Sequence, residues 1–118
     1  MSLTVNYYLK KDFLFVRLKG ELDQETCTFM RNKLCELIEK HDVISIVFNL
    51  EELDFMDSSG IGVIIGRYNQ LKRRGGKIIL CSLNKYIEKI IMLAGLPRIC
   101  SLKENENSAY EYLEAAYD

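Results

Sequence analysis

The sequence has no tryptophan, one proline (Pro97) and one histidine (His41). Its four cysteines, Cys27, Cys35, Cys81 and Cys100, include no C-x-x-C pair. Zinc-ligand spacing is therefore missing, and no metal site is expected. The cysteines lie in apolar runs, where a free thiol acts as a small hydrophobe, and this suits a reducing compartment. Neither charge sign is in excess, since 16 Lys and Arg balance 17 Asp and Glu to a net −1. A nucleic-acid-binding domain carries a marked basic surplus, so no direct nucleic-acid contact is expected. No apolar run approaches the roughly 20 residues of a membrane helix. The opening segment lacks the basic start and long apolar stretch of a signal peptide, so the expected setting is the cytoplasm. Repeats, low-complexity tracts and linkers are also absent. What remains is 118 residues, 48% of them hydrophobic, enough to bury the core of one domain spanning residues 1–118.

The hydrophobic pattern alternates strand and helix. Thr4 to Leu9 and Phe13 to Leu18 read as strands joined by the turn Lys10-Lys11-Asp12, an antiparallel hairpin. Asp23 stands where a helix begins, and Cys27, Met30, Leu34, Leu37 and Ile38 recur at helical spacing up to about Lys40. Val43 to Leu50 is β-branched and nearly continuous in hydrophobicity, the mark of a strand covered on both faces. Glu51 to Met56 reads as a polar loop. A second helix opens near Ser58, with Ile61, Ile64, Ile65, Tyr68 and Leu71 on its inward face, and Gly75-Gly76 stops it. Lys77 to Ser82 is a further buried strand. Asn84 caps a third helix, with Ile87, Ile90, Ile91 and Ala94 inward. Arg98 to Leu102 is a short edge strand, and a last helix starts near Asn107, with Ala109, Tyr112, Leu113 and Ala116 buried. Such an order predicts an α/β fold with a mixed sheet, an N-terminal β-hairpin and four α-helices. In this architecture ligands and partners meet the carboxyl ends of the strands. Gly20 to Asp23 and Asp54 to Gly60 are expected to share that edge.

Within it lies Asp57-Ser58-Ser59-Gly60-Ile61-Gly62, which opens a helix after a buried strand. A hydroxyl at the N-cap accepts a bond from an otherwise unpaired backbone N–H, the common role of serine here. Two adjacent serines cannot both fill that position, so one caps and the other faces solvent. An exposed serine at a helix N-terminus is also a good phosphate acceptor, because the helix dipole tolerates an anion there. Both roles remain open on physical grounds.

Rival readings of the segment are weaker. Gly60, Gly62 and Gly66 suggest a dinucleotide loop, but a polar segment separates them from the strand, and no acidic residue ends the next strand. Each helix glycine costs up to about 1 kcal/mol relative to alanine, so close approach of another backbone, from the chain or a partner, is the simpler reason for them. A hydrolytic serine needs a base. His41 belongs at the amino end of the following strand, opposite Ser58, and no G-x-S-x-G elbow is present. Glu51, Glu52 and Asp54 suggest Mg²⁺ only weakly, as an ordinary solvated loop looks the same. Lys72-Arg73-Arg74 falls where basic residues favour a helix C-terminus.

Gly20-Glu21-Leu22-Asp23, Val47-Phe48-Asn49-Leu50 and Phe55-Met56-Asp57-Ser58-Ser59-Gly60-Ile61-Gly62 stand in one register. In that register the chain resembles the STAS domain of bacterial anti-sigma factor antagonists over essentially its whole length. Met56 to Arg67 is the most specific stretch, and the sporulation regulators of the family are the nearest match. The resemblance implies a STAS-like mixed sheet and a binding module, not an enzyme, with no cofactor of its own. It implies that the unphosphorylated protein binds an anti-sigma factor that is also a serine kinase, freeing a sporulation sigma factor. That kinase, with its own ATP and Mg²⁺, would phosphorylate Ser58 and so lose its partner. A PP2C-type phosphatase would restore the free serine. On this reading Ser59 is left as the cap. Asp23 matches a partner-facing loop, while Asp57, Ser59, Gly60 and Gly62 shape the docking surface. STAS domains also form tails of anion transporters, but the absent membrane segment and the acceptor serine imply a free regulator. A monomer is expected.

Overall fold

Strand and helix alternate as expected in the computed structural model, which describes residues 2–118. β1 (Leu3–Lys10) and β2 (Phe13–Leu22) form the hairpin, with Lys11 in the left-handed region at φ 56°. Then follow α1 (Cys27–His41), β3 (Ser45–Met56), α2 (Ser58–Lys72), β4 (Ile78–Cys81), α3 (Lys85–Leu93), a 3₁₀ turn (Leu96–Arg98), β5 (Cys100–Lys103) and α4 (Glu106–Ala116). The five strands lie in sequence order, β1 antiparallel to β2 and every later pair parallel. Parallel neighbours need a crossover, and each is a helix. Leu14, Val16, Ile46, Phe48, Ile78 and Leu80 of the sheet bury against Met30, Leu34 and Ile38 of α1, Ile64 and Leu71 of α2 and Ile87 and Ile91 of α3. On the other face α4 alone covers Phe13, Phe15, Val47, Ile79 and Cys81 with Ala109 and Leu113. No helix among the described residues is long and apolar enough to cross a membrane.

Several boundaries and faces differ from the sequence reading. β2 and β3 run beyond Leu18 and Leu50 and pair with each other to Leu22↔Met56, through register shifts after Arg17 and Gly20. The expected loop Glu51 to Met56 is thus strand, with Leu53 and Met56 buried. α1 begins at Cys27 rather than at Asp23. In α2 the inward face is Gly60, Val63, Ile64, Arg67 and Leu71, whereas Ile65 is 37% exposed. Arg67 is only 7% exposed, and its Nε and Nη1 have no partner among the described residues. Ala94 and Ala116, expected inward, are exposed. At the C-terminus of α2, Arg74 pairs with Glu39 at 2.9 Å and donates to the Val43 carbonyl at 3.3 Å, tying the helix end to the start of β3.

α4 is fixed to the sheet through Glu106. Its carboxylate accepts from Tyr8 at 2.7 Å, Asn49 at 2.7 Å and Arg17 at 2.8 and 2.9 Å. Hydrogen bonding by Arg17, Asn49 and Tyr8 outweighs desolvation and holds the carboxyl down to about 2. Because the folded value lies below the unfolded one, the network stabilises the fold above about 4.5 and loses that contribution as pH falls towards 2. Glu106→Gln is therefore expected to cost about 2 kcal/mol at neutral pH, reduced from the full linkage because Arg17 is largely solvated. The variant should also flatten the acid limb of stability against pH, measured by urea unfolding.

Candidate functional site: the joined ends of two strands and a helix start

The chain leaves β3 at Met56 and turns into α2 through Asp57, whose extended backbone (φ −112°, ψ −169°) suits an N-cap. Asp57 Oδ1 accepts from Ser59 N at 2.9 Å and Gly60 N at 3.2 Å. Its Oδ2 accepts from Gln24 N at 3.2 Å, and its own N–H donates to the Leu22 carbonyl at 3.4 Å. One carboxylate thus closes the helix end and joins it to the loop after β2. This corrects the expectation that a serine, Ser59 in particular, is the cap. A carboxylate reaches two amides at once, and its charge suits the positive end of the helix. Asp57→Ala is expected to cost about 1–2 kcal/mol, within the range for a lost side-chain cap; thermal unfolding checks it.

Since the aspartate does the capping, Ser58 is released from it. Ser58 is the first residue of α2 and is exposed, and its hydroxyl bonds to none of the described residues. Ser59 is half-buried behind it. Gly60 faces inward: a Cβ there would stand 2.5 Å from the Leu22 carbonyl oxygen and 2.7 Å from Met56 Cγ. The missing side chain lets the first turn of α2 rest on the end of β2. Gly62 differs, because a Cβ there meets nothing within 4 Å and the position is exposed. Nothing within this chain requires that glycine.

The loop Gly20 to Asp23 does share this edge, as Leu22 and Gln24 show. Gly20 adopts φ 107° beside Ser2. Asp23 is 6% exposed, and its Oδ1 accepts from Glu25 N at 2.9 Å and Thr26 N at 3.1 Å. Thr26 Oγ1 accepts from Asp23 N at 3.0 Å and donates to the Glu21 carbonyl at 2.8 Å. Asp23 thus shapes the loop from within, and Gln24 and Glu25 carry its outward surface. Gln24 is the member of the site that the sequence did not reveal, because it acts only through its backbone N–H.

The rival chemistries find little support in this geometry. His41 ends α1 at the amino end of β3, the full strand length from Ser58. A cleft of about 900 Å³ does open between β3 and the β4–α3 and β5–α4 loops, but Glu51, Glu52, Glu104 and Glu106 line it with Arg17 as the sole base. Such a lining repels the phosphates of a nucleotide.

Comparison with known proteins adds four findings. A family model for the STAS domain matches residues 4–109. A Paenibacillus polymyxa protein named anti-sigma F factor antagonist is 37% identical over 114 residues, 97% of each chain. The structure of the anti-sigma factor antagonist SpoIIAA in its unphosphorylated form superposes with a TM-score of 0.75, at 26% identity, covering 96% of this chain and 98% of that one. The Bacillus cell fate determinant SpoIIAA in its phosphorylated form gives 0.74 at 29% identity, covering 93% and 99%.

Proposed function

The chain belongs to the STAS domain family, and from that premise we propose that it is an anti-sigma factor antagonist switched by phosphorylation of Ser58. One observation carries the switch: Ser58 offers a free, exposed hydroxyl on a helix whose end is closed by Asp57. The carboxylate cap leaves the serine nothing to do within the fold. Named relatives support the antagonist reading, and a structural relative exists in a phosphorylated form. The partner we assign is an anti-sigma factor that is itself a serine kinase, bringing its own ATP and Mg²⁺. Its binding frees a sporulation sigma factor in the cytoplasm. Ser58 is the acceptor, so the chain is a substrate and a binding module, not an enzyme. Ser59, Gly60 and Gly62 border the acceptor, with Asp57 and the loop organised by Asp23 beside them. Exposed Gly62 leaves room for a partner's backbone. A phosphate adds about −1.5 to −2 charges, which a docked surface rejects through desolvation and like-charge repulsion. A PP2C-type phosphatase resets the serine.

Incubation with the cognate kinase and ATP, followed by mass spectrometry, tests the assignment. Ser58→Ala is expected to keep fold and binding while taking up no phosphate. Label found on Ser59 alone would overturn it.

A further inference from the structure

The two edges of the sheet are unlike. β5 is four residues long and ends on Lys103. β1 is eight residues long, and between Leu3 and Leu9 it holds no charge and no proline. Its pairing with β2 is in unbroken register from Leu3↔Gly20 to Lys10↔Phe13. Natural edges are usually blunted by shortness, charge, proline or a bulge, and this stretch of β1 has none of them.

The phase of the ladder shows which groups are open. Glu21 N donates to the Ser2 carbonyl at 2.9 Å, so Ser2 and Glu21 form a hydrogen-bonded pair in that register. Such pairs alternate along an antiparallel ladder. Thr4, Asn6, Tyr8 and Lys10 therefore bond β2. Leu3, Val5, Tyr7 and Leu9 turn their N–H and C=O groups outward. The same four residues put their side chains on the α1 side of the sheet, where Leu3 and Val5 join the core margin. Tyr7 is 42% exposed and Leu9 37%. Lys33 of α1 sets its Nζ 5.7 Å from the Tyr7 ring centre. Phe29, one turn earlier on the same helix face, is 57% exposed. An open ladder edge and an apolar strip thus coincide.

We propose that this edge pairs with the same edge of a second copy of the chain, β1 against β1 in antiparallel array. The edge is complementary to itself. A two-fold axis through Asn6 sets Leu3 against Leu9 and Val5 against Tyr7, keeping each side chain on its own face of the sheet. Lys10 then falls opposite Ser2, so no like charges meet across the pair. Phe29 of each copy is carried towards the apolar strip of the other. The result is a continuous ten-stranded sheet, in place of the monomer expected from the sequence. Because β1 runs antiparallel to its copy, the two Ser58 ends point in opposite directions and both stay open to partners.

Sedimentation velocity of the full chain, from micromolar to near-millimolar concentration, tests this. The weight-average mass is expected to climb from 13.7 kDa towards twice that value. Val5→Pro removes an outward N–H, at a position where an edge strand accepts proline, and leaves every β2 bond in place while changing a side chain at the core margin. It should weaken association by about tenfold or more while circular dichroism stays native. Tyr7→Lys, which puts a charge into the strip and alters no β2 bond, should do the same and guards against misfolding of the proline variant. A mass fixed at that of one chain throughout would overturn the proposal. So would folded variants that associate as the wild type does.

Discussion

Ser58→Asp is expected to weaken binding of the anti-sigma partner by about 30-fold to several-hundred-fold, on the order of 2–4 kcal/mol. The substitution puts an anion where the partner must exclude water, and neither its desolvation nor its repulsion from acidic groups is compensated. Enzymatic phosphorylation, with nearly twice the charge, should go further. The folded domain should hardly notice. Asp57, not Ser58, closes α2, and the helix dipole offsets the repulsion between Asp57 and its new neighbour. Isothermal titration against the partner, with a melting curve of each protein, separates the two effects. Equal affinity for wild type and Ser58→Asp would sink the switch. A large fall in melting temperature would mean that the serine is structural after all.

Gly60→Ala should be the most damaging small substitution at the site. Alanine is favoured over glycine within a helix by up to about 1 kcal/mol, so propensity alone predicts stabilisation. Packing decides otherwise. The new Cβ would stand 2.5 Å from the Leu22 oxygen, which is backbone and cannot swing away. Overpacking of this kind costs about 1–3 kcal/mol, and lifting α2 off β2 also strains the bond from Asp57 N to Leu22 O. A net loss of about 2 kcal/mol is expected in urea unfolding, with weaker partner binding as Ser58 shifts. Gly62→Ala is the control. Its Cβ meets open space, so stability should rise by several tenths of a kcal/mol up to about 1. Any loss of binding there would report directly on the partner's approach.

The sequence made the architecture legible because its periods are clear. Val43 to Leu50 could only be a covered strand, and Asn84 does cap α3, accepting from Ile87 N. Two kinds of information were hidden. The first is pairing at a distance. Glu51-Glu52-Leu53-Asp54-Phe55-Met56 looks like a polar loop until the end of β2 bonds along it, for local polarity does not reveal a neighbour 30 residues away. The second is competition between side chains for one role. Three polar residues stand at the start of α2, and pattern alone favoured a hydroxyl where the carboxylate took the amides. Arg67 misled in the same way: the apolar stripe pointed to Ile65, yet the helix turned the arginine inward.

β3 carries one more implication. Beyond Asn49, its last residue paired with β4, the strand continues along β2 to Met56, with the Asn84 side-chain amide donating to the Leu53 carbonyl at 2.9 Å. Ser58, the proposed acceptor, therefore follows the end of a strand that outruns its β4 partner, at one edge of the domain. Enzymes that modify serine usually take flexible tails, because a tail can be threaded into a catalytic groove. Here a folded domain achieves the same access without unfolding. A kinase acting on Ser58 would meet a folded surface there, and would read that whole surface rather than a short peptide. Selection for that surface would constrain Gln24, Gly60 and Gly62 as tightly as the serine itself.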